Sequence, residues 1–170
     1  LTSHLPRMGV AVTLVDATDP GAVEEAIRPE TRLVYVETIS NPLMEVTDLP
    51  RLAEIAARNG ALLGVDNTFA SPMLCRPLEQ GAAWVASSAT KYLNGHSDVI
   101  GGVLAGTKAF IDRAKGLRSI WGASLSPFDA WLAVRGARTL SLRMKAHSAN
   151  ALALARLLEA SPRISRVHYP

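Results

Sequence analysis

"RLVYVETISNPLMEVTDLPRLAEIAARNGALLGVD", residues 32–66, changes its hydrophobic period twice. The opening "RLVYVET" (32–38) is continuously apolar at its centre and rich in β-branched and aromatic side chains, which is how a strand covered on both faces of a parallel sheet reads. Asn41 and Pro42 break the chain. Thr47 or Asp48 then offers an N-cap, Leu49, Leu52, Ile55 and Ala56 form one apolar helical stripe, and Gly60 stops the helix. "ALLGVD" (61–66) follows as another buried strand.

The alternation continues on both sides. "VAVTLVD" (10–16) alternates as a strand, and Asp19 with Pro20 opens a short helix through "AVEEAIR" that Pro29 ends. "WVASS" (84–88) and "GGVLAG" (101–106) read as further strands, and Lys108 to about Trp121 is helical. Ser126 and Pro127 are an N-cap and N1 pair for a long helix expected to reach Leu158, with Trp131, Val134, Ala137, Leu140 and Met144 on its inner face. Gly136 inside it marks a bend or a close packing contact. Strands and helices alternating through short loops predict a three-layer α/β sandwich with a mostly parallel sheet.

Bulk properties narrow the functional classes. Of the 170 residues, 48% are hydrophobic and 19% charged, ordinary for a globular chain, and the formal charge of +3 is scattered. Arg113, Lys115 and Arg118, and again Arg135, Arg138, Arg143 and Lys145, read as solvated helix faces; with few aromatics beside them they make no nucleic-acid groove. The single cysteine, Cys75, excludes an internal disulfide framework and a cysteine-based zinc site and fits a reducing, cytoplasmic setting. No apolar run is long enough to predict a membrane span. A start at Leu1 without Met and a stop at "RVHYP" predict the central part of a longer chain.

In a sheet of this kind ligands bind beyond the carboxyl ends of the strands. Ile39, Ser40 and Asn41 stand after one strand, Asp66 and Asn67 after the next, and Ser88, Thr90 and Lys91 after the third. An amide, a carboxylate, hydroxyls and a lysine on one rim could hold an aromatic cofactor bearing a phosphate and an aldehyde. A lysine amine condenses with an aldehyde only when neutral, and burial or nearby positive charge favours the neutral form. A carboxylate facing a pyridine nitrogen keeps it protonated, so the ring accepts electrons. Hydroxyls and backbone N–H groups receive a phosphate dianion. Taken singly, these residues have blander readings: a lysine after a strand is commonly surface, and a strand-terminal aspartate commonly caps a turn. His96 and Asp98 in "NGHSD" read as a hydrogen-bonded turn and not as a metal site, and Gly95, Gly101 and Gly102 lack the spacing of a Walker loop or a dinucleotide fingerprint.

Three longer stretches carry a resemblance. "VDNTFASP" (65–72), "SATKYLNGHSD" (88–98) and "LSPFDAWLAVRGARTLSLRM" (125–144) resemble the Cys/Met-metabolism family of pyridoxal 5'-phosphate (PLP) enzymes, and the likeness extends over essentially the whole chain. It implies a fold-type I architecture, with residues 1–149 as a cofactor domain incomplete at its N-terminal side and 150–170 as the end of a connecting helix leading into a C-terminal domain. It implies that Lys91 is the cofactor-linking lysine, that Asp66 pairs with the pyridine nitrogen, that Ser88 and Thr90 bind the phosphate, and that Asn41 lies near the ring 3-oxygen.

The implied activity is γ-elimination or γ-replacement on cystathionine or an O-acylated homoserine. Methionine γ-lyase, cystathionine β-lyase and O-acylhomoserine sulfhydrylase are the neighbouring alternatives, and a cofactor-binding fragment without turnover is the reading from another class. A small-molecule amino-acid substrate and a homotetramer built from dimers are implied as partners. Ile39, Ala83 and Trp84 depart from the family's usual residues, and "GHSD" leans toward the cystathionine γ-synthase and γ-lyase branch through Ser97.

Overall fold

Three strands end together on one rim, and that alignment organises the molecule. The computed structural model describes residues 2–170. Strands β1 (Leu33–Glu37), β2 (Leu62–Asp66) and β3 (Trp84–Ser88) run parallel, and β4 (Gly102–Gly106) returns antiparallel to β3, in the order β1-β2-β3-β4. Glu37 sits beside Asp66 and Asp66 beside Ala86, so β1 and β2 finish at one level and β3 runs two residues farther along the same rim, to Ser88. The mixed, mostly parallel sheet with packed helices is the α/β architecture expected from the sequence.

Helices α1 (Pro20–Ala26) and α2 (Leu49–Arg58) cover one face. Asp19 starts α1 by accepting the Gly21 and Ala22 N–H groups, and Asp48 starts α2 by accepting that of Arg51 at 3.1 Å. Gly60, at φ +69°, turns the chain out of α2 in a conformation that favours glycine. The predicted stripe of Leu49, Leu52, Ile55 and Ala56 is buried against Val34 and Val36 of β1, Leu63 and Val65 of β2 and Val85 of β3, with Val23 of α1 closing the cluster. Each large aliphatic side chain removed from water there contributes about 1.5–3 kcal/mol before chain entropy is subtracted.

The opposite face is only partly covered. Tyr35 stacks on Trp84, and Trp84 stacks on Phe110 of α4 (Lys108–Trp121) with centroids 5.5 Å apart, while Leu33 and Leu62 remain exposed. The bounds of α4 match the expectation; Thr107 caps its start and Gly122 its end.

Two expectations are corrected. Residues 10–16 form no strand: Val10, Leu14 and Val15 are exposed, and among the described residues their backbone makes only turn bonds at its two ends, from Val10 N–H to Leu5 O and from Asp19 N–H to Asp16 O, with no strand ladder. Alternation gives a strand preference, but a ladder needs a neighbouring edge. The long helix is also divided, after the short α3 (Ser71–Leu74), into α5 (Pro127–Ala137) and α6 (Leu140–Glu159). At the junction the Thr139 N–H bonds Gly136 O at 3.2 Å, a tight i→i+3 closure. Ser126 caps α5 as expected, accepting the Asp129 N–H at 3.0 Å. Leu140 and Met144 are buried, but Trp131 and Val134 are exposed, so the inner face belongs to α6 and not to α5. Among the described residues no helix is long and apolar enough to cross a membrane.

Candidate active site

The chain leaves β3 at Ser88 into a tight turn, residues 89–93, where the Asn94 N–H reaches back to Ala89 O at 3.1 Å in an i→i+5 bond. Single turns of this wide type recur at functional sites. Lys91 sits within it at φ −95°, ψ −128°, outside helical geometry. The turn is tied to β4: the Ala89 N–H donates to Gly101 O at 2.8 Å, and the Thr90 hydroxyl accepts the Gly101 N–H at 3.0 Å.

A cleft of about 600 Å³ opens over this turn. Of the residues expected at the site, Asn41, Thr90 and Lys91 line it; Phe69, Tyr92, Ser97, Arg143 and His147 join them. Asp66 and Ser88 lie on the same rim but outside that lining. They are linked through Thr68, whose N–H donates to Asp66 Oδ1 at 2.9 Å and whose hydroxyl accepts the Ser88 N–H at 2.8 Å. The other Asp66 oxygen accepts from the Tyr35 hydroxyl at 3.4 Å. Burial first, then the Asp66 charge and this bond, then Glu37, push the Tyr35 phenol up to about 12. Asn41 is held by its N–H, which donates to Glu37 Oε2 at 3.2 Å.

Lys91 is exposed, so the burial expected around the amine is not supplied by this part of the fold. Asn67, by contrast, is a buried brace: its Oδ1 accepts from Thr38 at 2.7 Å and its Nδ2 donates to Cys75 O at 2.9 Å. His96 and Asp98 form the expected turn, with His96 Nδ1 2.6 Å from Asn94 O and Asn94 Nδ2 donating to Asp98 Oδ1 at 2.6 Å. Within that turn Ser97 takes φ +59°, a left-handed backbone uncommon for a residue with a Cβ. Cys75 is half-buried, and burial pushes its thiol up, away from the nucleophilic thiolate.

Arg143 does not belong to a solvated face. Its guanidinium reaches Tyr92 O at 2.7 Å and Gly136 O at 2.9 Å, and it lines the cleft. Spacing hid this, because Arg143 falls among helical basic residues and its Tyr92 partner lies 51 positions earlier. Thr68 was missed too, although its place between two strand-end candidates was a usable signal.

An amine, a carboxylate, two hydroxyls and an amide thus stand at the ends of three parallel strands, beside the Phe69 and Tyr92 rings, whose centroids lie 6.5 Å apart edge to face. That donor set fits a flat heteroaromatic ring carrying an aldehyde and a phosphate.

Comparison with known proteins follows the same line. The sequence model of the family described as "Cys/Met metabolism PLP-dependent enzyme" matches residues 1–170. The L-methionine gamma-lyase of Porphyromonas gingivalis is 49% identical, aligned over 100% of this chain and 43% of its own length. The cystathionine gamma-lyase of Bacillus subtilis is 45% identical over 100% of this chain and 45% of its own. A crystal structure of cystathionine gamma-lyase from Lactobacillus plantarum, complexed with L-serine, superposes with a TM-score of 0.95 at 41% identity, covering 99% of this chain and 44% of that one. The chain spans less than half the length of the relatives it matches.

Proposed function

Because the chain belongs to the Cys/Met metabolism PLP-dependent enzyme family, we propose that the full protein is a trans-sulfuration enzyme catalysing γ-elimination or γ-replacement on cystathionine or an O-acylated homoserine. The observation that carries this reading is the shared rim on which Asp66 ends β2 and Ser88 ends the adjacent β3, two residues beyond the register partner of Asp66, with Lys91 in the turn directly after.

Bound PLP supplies an electron sink for the charge left when a substrate loses its Cα proton. The roles of the chain's own residues follow from their chemistry. Lys91 holds the cofactor through its amine and, once released, carries protons between Cα and its neighbours. Asp66 would pair with the pyridine nitrogen and keep it protonated, an electrostatic contribution to charge developing elsewhere on the ring. Ser88 and Thr90 serve the phosphate. The Thr90 oxygen already accepts the Gly101 N–H, so its own hydrogen is available to donate, with only a long 3.4 Å alternative at Gly101 O. Asn41 would serve the ring 3-oxygen.

Residues 1–149 form the cofactor-binding part in this reading, and 150–170 lead into a further domain. Exposed Trp121, Phe128 and Trp131 support assembly into a homotetramer, and a lone unpaired cysteine suits the cytoplasm. Methionine γ-lyase activity is the second reading, favoured by the methionine lyases of Porphyromonas gingivalis and Pseudomonas putida at 49% and 47% identity.

The test is Lys91→Ala in the full protein with added PLP: both the visible band of the bound cofactor and turnover should vanish, and retained turnover sinks the reading. Product analysis with cystathionine, methionine and acylated homoserines separates the two activities from β-elimination and sulfhydrylation.

A further inference from the structure

We propose that Arg143 is a positioning residue for Lys91, clamping from the start of α6 the turn that carries the cofactor lysine. The inference rests on the reading of Lys91 as that lysine. Three consecutive carbonyls follow Lys91, and Arg143 meets all of them: Tyr92 O at 2.7 Å, Leu93 O at 3.4 Å and Asn94 O at 3.4 Å. These acceptors end a single helical turn with no further helical turn to bond them, and only Asn94 O has another neighbour, His96 Nδ1 at 2.6 Å. The same guanidinium donates to Gly136 O at 2.9 Å, and its Nε to the Thr139 hydroxyl at 3.0 Å, which fixes the clamp to the α5–α6 junction. Among the described residues no carboxylate pairs with it, so its donors are committed to backbone carbonyls and the Thr139 hydroxyl.

Two glycines make this approach feasible. A Cβ on Gly95, at φ +75°, would fall 2.2 Å from Arg143 Nη1, and a Cβ on Gly136 would fall 2.2 Å from Asn94 O. The turn is therefore held closely against both α5 and the guanidinium, which meet at Asn94 O. Asn94, 1% exposed, is enclosed there with its Oδ1 unpartnered. The link to Lys91 is direct: the Gly95 N–H, on the residue beneath the guanidinium, donates to Lys91 O at 2.8 Å. Loosening the clamp frees the backbone that sets where the Lys91 amine stands. A lysine at position 143 cannot replace it, because one ammonium lacks the planar five-donor fork that spans four carbonyls.

The experiment uses the full PLP-loaded protein with Arg143→Met, Arg143→Lys and Arg143→Ala, and separately Gly136→Ala, which pushes on Asn94 without touching the arginine. Three quantities are read: the circular dichroism of the cofactor's visible band, the rate of cofactor release, and the lysine labelled after borohydride reduction. Loss of charge-assisted bonds in the Arg143 variants, and displacement of Asn94 in Gly136→Ala, should speed release about tenfold or more and shrink the visible dichroism. Free guanidinium, well below denaturing concentration, should restore both in Arg143→Ala but not in Gly136→Ala.

Wild-type dichroism and release in folded Arg143→Met overturn the clamp while leaving the function intact. If that variant does not fold, wild-type values in both Arg143→Lys and Gly136→Ala overturn it equally. Borohydride labelling of a lysine other than Lys91 in the unmutated protein overturns both the clamp and the reading beneath it.

Discussion

The hydroxyl of Thr68 accepts the backbone N–H of Ser88 at 2.8 Å, joining the loop after β2 to the last residue of β3. Its own N–H meanwhile holds Asp66 Oδ1. One threonine thus sets the spacing between the residue proposed for the ring nitrogen and one proposed for the phosphate. Thr68→Val keeps the shape and deletes the acceptor, leaving a part-buried N–H unsatisfied at a cost of about 1–3 kcal/mol. Thermal melting should register that loss and cofactor release should quicken, with Thr68→Ser restoring both. An unchanged melting temperature in the valine variant would mean that water replaces the hydroxyl.

Asp66→Asn separates holding the cofactor from using it. The amide oxygen can still accept the Thr68 N–H, so the loop geometry survives. The negative charge does not. Cofactor binding should persist, while exchange of the substrate Cα proton with solvent slows on the order of 10²-fold or more, the scale of removing one preorganised electrostatic partner. Exchange at the wild-type rate would remove Asp66 from its proposed role.

Local signals carried most of the fold. The α2 stripe and the apolar centres of β1 and β2 are legible because burial on one face imposes a period that side chains must obey. Asp19, Asp48 and Ser126 were readable as caps because orphan N–H groups need short acceptors. What failed depended on partners distant in sequence. The 10–16 segment has strand chemistry without a strand beside it among the described residues. Trp131 and Val134 follow helical spacing but stay exposed, Trp131 stacking only on Phe128 of its own helix, because α5 meets the rest of the chain around Gly136. Arg143 shares its chemistry with its basic neighbours, and only the carbonyls of 92–94 distinguish it. At the site, the rim order was legible from the strand ends, whereas the exposure of Lys91 reflects what covers the cleft, which no local pattern encodes.

Trp84 rests on Gly64. A Cβ at Gly64 would come within 2.4 Å of the indole, which lies between Tyr35 and Phe110. Gly64→Ala should destabilise the protein by about 1–3 kcal/mol through overpacking. In a Trp84→Ala background the clash has no second partner, so the same substitution should cost little there. Denaturant unfolding of the two single variants and the double variant gives the coupling. Additive costs would show that the indole moves aside freely.

Tyr35 gives the last test, through its pH dependence. The phenol stays protonated in the fold to about pH 12, against 10.0 for the free group, owing to burial, the neighbouring Asp66 carboxylate and the bond between them. A folded-state value above the unfolded one means that the native state holds the proton longer. The stability contributed by this proton is therefore complete below pH 10 and is lost as pH rises toward 12. Relative to Tyr35→Phe, the wild-type protein should lose stability across that window and show no such trend below it. Ultraviolet titration of phenolate should assign the late-ionising group to Tyr35, and Asp66→Asn should bring its ionisation to lower pH by removing the adjacent charge. If the tyrosine lost in Tyr35→Phe is one that ionises near pH 10, the contact between Tyr35 and Asp66 does not hold in solution, and Asp66 keeps only its bond to Thr68.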